Sequence, residues 1–271
     1  MTEDERPVPI NFGGQERSDS GINLGLDGRV VLVTGGVRGV GAGISEVFAE
    51  QGATVVTCAR RAVDGLPYEF HSCDIRDEDA VSRMIDSIAE RHGRLDVAVN
   101  NAGGSPYALA ADASPKFHAK IVELNLLTML LVSQRANAIM QAQPDGGAIV
   151  SISSVSGRRP TPGTAAYGAA KAGVESLTST LAVEWAPKVR VNALAVGMVE
   201  TEQSGLFYGD AESMAAVCAT VPLGRLAKPS EIGWAAAFLA SDLASYVSGT
   251  TMVVHGGGEP PPYLAASNAN K

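Results

Sequence analysis

The chain has 271 residues, 45% of them hydrophobic and 18% charged, with a formal net charge of −8. That balance predicts one globular domain able to bury roughly 75% of its unfolded surface, and it excludes nucleic-acid capture, which needs clustered Lys and Arg. No apolar run reaches the ~20 residues of a membrane helix, and Cys58, Cys73 and Cys218 lack metal-ligand spacing, so the reading is no membrane, no metal and buried thiols in a reducing cytoplasm.

In chain order, residues 1–25 are polar, lack the apolar stretch of a signal peptide, and are expected to form a flexible arm. "RVVLVTG" (29–35) is a β-branched run ending in glycine, a buried strand leading into a turn. A helix is expected over 43–52, then strands over 54–59 and 68–74. Residues 77–93 have helix punctuation at both ends, acidic first and His92-Gly93 last. Further strands are expected over 95–103, 146–154, 188–195 and 250–255, with helices over 116–142, 164–186 and 230–241. Residues 258–271 form a second tail whose prolines exclude regular helix or central strand. Apolar strands alternating with helices over 26–257 predict an α/β fold, a doubly wound parallel sheet covered on both faces. Ligands of such a sheet bind beyond the carboxyl ends of its strands, where strand order reverses.

"TGGVRGVG" (34–41) lies at such a position, between the first strand and the first helix. Gly35 allows a tight turn, Gly39 a close approach to a pyrophosphate, and Gly41 close helix packing, while the helix N-terminus offers N–H groups to phosphate. No Lys-Ser/Thr pair follows the last glycine, so it is not a P-loop. The acidic residue that would bind a ribose 2′-hydroxyl is missing after the second strand, where Ala59 is followed by Arg60. Arg60 and Arg38 suit a 2′-phosphate, which favours NADP(H), with NAD(H) as the alternative.

Five motifs then stand in order: "TGGVRGVG", "CDIRD" (73–77), "NNAG" (100–103), "ELNLL" (123–127) and "ISS…YGAAK" (152–171). With them the chain resembles the short-chain dehydrogenase/reductase family over about residues 26 to 257. The resemblance implies a Rossmann-type oxidoreductase with Asn125, Ser154, Tyr167 and Lys171 as its catalytic tetrad. It places Gly35, Arg38, Gly39, Val40, Gly41, Arg60, Asp74, Ile75, Asn101, Ala102, Gly103, Tyr167, Lys171, Gly197, Val199 and Thr201 around the dinucleotide. Asn125 would shape its helix and hold a water linking Lys171 to solvent, and Lys171 would also bond the nicotinamide ribose. A homodimer or homotetramer paired through the helices at 116–142 and 164–186 is implied as well. The sequence departs from the family at Val196, where proline is usual before glycine, and at His255, where aspartate is common.

Tyr167 and Lys171 are four apart and share a helix face. Lowering a tyrosine from a pKa near 10 by ~3 units takes ~4 kcal/mol, of which an ammonium ~5 Å away at an effective dielectric of ~20 supplies about 3. Lys171 is therefore expected to ease ionisation of Tyr167, with Ser154 bonding the substrate oxygen. Residues 197–226 should cover a small-molecule substrate, and Met198, Leu206, Phe207, Tyr208, Met214 and Val217 suggest a lipophilic ketone, a sterol-like alcohol or an acyl β-keto compound. Arg158 and Arg159, exposed loop residues, are expected to meet water. The alternatives are a dinucleotide-binding regulator or scaffold without turnover, against which the intact tetrad stands, and a Ser-Lys hydrolase, which lacks its S-x-x-K motif.

Overall fold

The β-branched runs form seven parallel strands: β1 Val30–Thr34, β2 Thr54–Ala59, β3 Glu69–Ser72, β4 Val97–Asn100, β5 Gly147–Ser154, β6 Val189–Val196 and β7 Thr251–Val254. Their order is β3-β2-β1-β4-β5-β6-β7, so the chain winds outward one way from β1 and the other way from β4. The crevice between the carboxyl ends of β1 and β4 is the switch point. The computed structural model describes residues 23–266, and the arm expected over 1–25 falls almost wholly outside them.

Helices α1 Gly39–Glu50 and α8 Pro229–Ala240 cover one face, and α2 Glu78–His92, α4 Thr128–Ala142 and α5 Ala165–Glu184 the other. Each face has its own core, Phe48, Ile44 and Ile232 on the first and Ile85, Ile88 and Met140 on the second, all fully buried. Strands buried on both faces lose their period-two alternation, which is why β1 reads as five apolar or small residues in a row. Helix α2 is capped as its sequence predicts: Ala80 N–H donates to the Asp77 carboxylate at 3.0 Å, and Gly93 takes the left-handed conformation. No helix among the described residues is long and apolar enough to cross a membrane.

Three local expectations are corrected. The first helix starts at Gly39, four residues before the expected 43, so the glycine loop runs directly into the helix N-terminus. The helix expected over 116–142 is broken: α3 Pro115–Val122 and α4 flank a π-helical turn, Glu123–Leu127. The tail is not free of helix either, because Pro262 starts a short α9, Pro262–Ala266. Proline is compatible with a first helical turn, whose N–H groups lack intrahelical partners anyway. The segment after β6 also contains two helices that periodicity did not reveal, α6 Ser204–Tyr208 and α7 Ala211–Ala219.

Candidate active site

At the switch point, Gly35 and Gly39 both hold positive φ, +66° and +52°, which a side chain would strain. Thr34, the last residue of β1, ties the two halves of the crevice together. Its hydroxyl oxygen accepts from the backbone N–H groups of Asn101 and Ala102 at 3.0 and 3.1 Å. The Asn101 side-chain amide returns to the Thr34 and Gly35 carbonyls at 3.0 and 3.2 Å. A Cβ on Gly41 would collide with the Gly35 carbonyl and come within 2.5 Å of Asn101 Nδ2. Gly41→Ala should therefore displace the loop, lowering stability by about 1–3 kcal/mol and weakening dinucleotide binding at least tenfold. Thermal unfolding with a fluorescence titration measures both, and unchanged binding would show that the cradle is not used.

Around this cradle, Val40 follows Gly39 in the first turn of α1, and Thr201 lies across the loop, with its methyl 3.5 Å from where a Gly39 Cβ would stand. Gly197 follows β6, where a Cβ would press on the His255 backbone at 2.9 Å. The chain therefore needs glycine at 197 whatever precedes it. Val199 bridges Ala227, closing the base of the segment carrying α6 and α7. Ile75 is buried after β3, beside Asp74, whose carboxylate takes two bonds from Arg76 at 2.9 and 2.5 Å. The Arg76 guanidinium holds the Asp74 carboxyl below its ordinary value, with Arg60 adding a smaller pull. Arg38 and Arg60 are exposed, and among the described residues neither guanidinium has a hydrogen bond or ion pair.

The four polar residues of the sequence motifs meet at the carboxyl end of β5. Asn125 sits in the π-turn, fully buried. Its amide donates to the Ile121 and Gly104 carbonyls, both at 2.9 Å, and its oxygen accepts from Gly104 N–H at 2.8 Å. The π-turn's shifted hydrogen-bond register leaves the Ile121 carbonyl open to that side chain. A Cβ on Gly103 would lie 2.6 Å from Asn125 Oδ1 and 3.6 Å from Lys171 Nζ, so both groups border the same glycine. Lys171 Nζ donates to the Ile152 carbonyl at 2.7 Å and stands 5.5 Å from the centre of the Tyr167 ring. The Ser154 hydroxyl accepts from Ser156 N–H at 3.2 Å, and its side chain acts on the Tyr167 phenol, lowering its pKa.

Residues 35–259 match the family model described as enoyl-(acyl carrier protein) reductase. The chain is 34% identical over 244 residues to 3-oxoacyl-(acyl-carrier-protein) reductase of Thermotoga maritima, covering 86% of this chain and 98% of that one. This chain belongs to the short-chain dehydrogenase/reductase family. The same short-chain dehydrogenase/reductase is 38% identical over 242 residues to cis-4-hydroxycyclohexanecarboxylate dehydrogenase of Sinomonas cyclohexanicum, with 84% and 96% of the two chains covered. It superposes on the ligand-free aldohexose dehydrogenase of Thermoplasma acidophilum with a TM-score of 0.82, at 31% identity and 91% and 97% coverage. It is an oxidoreductase acting on alcohol and carbonyl groups, in a family that uses nicotinamide dinucleotides.

In this short-chain dehydrogenase/reductase the electrostatics differ from the sequence expectation. Burial pushes the Tyr167 phenol above its ordinary 10, and the Ser154 hydrogen bond brings it only part of the way back. Burial also pushes Lys171 down, to about 7. A dry corner disfavours both charges, so the ammonium that was to ease Tyr167 ionisation is itself only partly populated at neutral pH. A second correction concerns Arg158, which was expected to meet water. Its Nε lies 2.9 Å from Glu175 Oε2. Arg159 is likewise engaged, by Glu259. Sequence reasoning did not find Thr34, Ile152, Ser153 or Glu175; the available signals were a polar residue at the end of an apolar strand for Thr34 and Ser153 and the four-residue spacing from Lys171 for Glu175.

Proposed function

We propose that this oxidoreductase is NADP(H)-dependent and interconverts a carbonyl and a secondary alcohol, with Tyr167 as its acid/base. The observation that carries the reading is the meeting of Ser154, Tyr167 and Lys171 beside a glycine loop whose positive-φ Gly35 and Gly39 lead into the N-terminus of α1. The cradle fits a pyrophosphate, and the guanidinium groups of Arg38 and Arg60, which have no hydrogen bond or ion pair among the described residues, fit a 2′-phosphate. Bound there, the cofactor supplies or accepts the hydride. During reduction the Ser154 hydroxyl donates to the substrate oxygen, and Tyr167 passes its phenolic proton to that oxygen as the carbonyl carbon gains hydride. Lys171 then replenishes that proton. Burial keeps Tyr167 protonated at neutral pH, so the acid form is the resting form. Oxidation of the alcohol runs the same proton path backwards and gains from higher pH.

A lipophilic substrate is supported by α7, which buries no residue, and by Leu206, which is 83% exposed. The segment after β6 thus keeps apolar surface unspent on packing. Relatives named for 3-oxoacyl and hydroxycyclohexane substrates agree with a β-keto or cyclic compound. Exposed Trp234, Leu243 and Tyr246, at and beyond α8, support a homodimer or homotetramer, and the buried free thiols of Cys58 and Cys73 support a reducing cytoplasm.

Nicotinamide fluorescence titrations with NADPH and NADH test the cofactor assignment. NADPH should bind about 10–100-fold more tightly, and Arg60→Ala should remove at least tenfold of that preference, as expected for one charged hydrogen bond of ~1.5–3 kcal/mol. Equal or tighter NADH binding would overturn the NADP(H) assignment. A panel of cyclic ketones and β-keto esters with the tighter cofactor then identifies the fastest substrate.

A further inference from the structure

The last three residues of β5 each face α5. The Ile152 carbonyl accepts from Lys171 Nζ at 2.7 Å, and the Ser154 side chain acts on the Tyr167 phenol. Between them, the buried Ser153 hydroxyl lies 3.1 Å from both the Lys171 carbonyl and Glu175 Oε1. Glu175 is four residues beyond Lys171 and eight beyond Tyr167, so all three lie along one helix face. Its carboxylate also takes the Arg158 Nε, at 3.1 Å to Oε1 and 2.9 Å to Oε2. Arg158 ends the short helical turn Val155–Gly157 that follows Ser154, and its Nη2 reaches the Thr251 carbonyl of β7 at 3.4 Å.

We infer that Glu175 is a positioning residue for the proton-transfer centre, holding Ser154 from both sides through Ser153 before it and Arg158 after it. The inference rests on the proposed roles of Ser154 and Tyr167. The Glu175 side chain is 18% exposed and touches neither hydroxyl, so it acts through the backbone it anchors. An exposed ion pair alone contributes little. Here the carboxylate also receives a buried hydroxyl, and one group therefore couples β5, the turn after Ser154 and α5. Without it, Ser153 has the Lys171 carbonyl as its remaining acceptor, already the i→i+4 acceptor of the helix. The turn carrying Arg158 then loses its anchor to α5. A displacement of ~1 Å between reacting groups costs on the order of 100-fold in rate.

The test measures kcat, KM and NADPH stoichiometry for Glu175→Ala and Glu175→Gln beside Tyr167→Phe, using the fastest ketone of the panel, well below each variant's thermal midpoint. Glu175→Ala should lose about 10–100-fold in kcat with KM and NADPH stoichiometry within about twofold of the parent. Glu175→Gln keeps an oxygen for Ser153 and should recover most of that loss. Parental kcat in Glu175→Ala, or a loss matched by a fall in NADPH stoichiometry, would overturn the positioning role. An active Tyr167→Phe would instead overturn the catalytic reading on which that role depends.

Discussion

Tyr167→Phe should lower kcat about 10²–10⁴-fold, the range of a lost general acid, while NADPH binds with nearly unchanged affinity. The substitution removes one hydroxyl from the end of a side chain whose ring still packs, so the fold and the glycine cradle are untouched. What is lost is the proton for the substrate oxygen. Hydride addition would then leave an alkoxide beside Ser154, and one neutral hydrogen bond does not stabilise that charge in a dry site. The parent enzyme should show the matching pH dependence. Reduction needs the protonated phenol and should fall only at high pH, because burial raises the Tyr167 pKa. Oxidation needs the phenolate and should rise over the same range. Steady-state assays in both directions from pH 6 to about 11 check this. A Tyr167→Phe enzyme with parental kcat would remove Tyr167 from the mechanism.

Lys171→Met should have two effects of opposite sign, a loss of activity of at least about 10²-fold and a gain in stability. The lysine is fully buried and its pKa is lowered by burial to about 7 from the ordinary 10.5. Between those values the unfolded chain holds a proton that the folded chain lacks, so parental stability rises with pH across that window. Below pH 7 both states are protonated and the folded state bears the full cost of a buried ammonium. The gain in Lys171→Met should be largest there, about 2–3 kcal/mol after the Ile152 carbonyl loses its donor, and should fade toward pH 10.5. Urea unfolding of the ligand-free proteins at pH 6, 8 and 10 measures it. Equal stability at pH 6 would mean that Lys171 is not dehydrated in the fold.

Such a cost fits a functional site, where a charge is kept in a place that stability alone would give to an apolar side chain. It also shows why the pairing of Tyr167 with Lys171 could be read from sequence while their ionisation could not. Four-residue spacing on a helix brings two side chains to one face whatever surrounds them. Burial depends on β5 and the π-turn closing over that face, and those segments lie 13 to 48 residues away in the chain.

The sequence by itself determined the strands, most of the helices between them, the glycine cradle and the pairing of Tyr167 with Lys171, while resemblance to the family singled out Asn125 beside them. The first group are local signals: β-branched runs, capping residues at Asp77 and Gly93, glycines where φ must be positive, and i,i+4 spacing. Tertiary structure alone decided the rest. It set the switch point, because only strand order shows that Thr34 and Asn101 face one another. It inserted the π-turn at Asn125, where the Gly104 backbone offers the side chain both a donor and an acceptor. It gave Arg158 a partner 17 residues on, and it reversed the expected direction of the Tyr167 shift. Contacts between residues distant in sequence leave no periodic trace in it, and the desolvation that sets these charges arises only when those residues pack together.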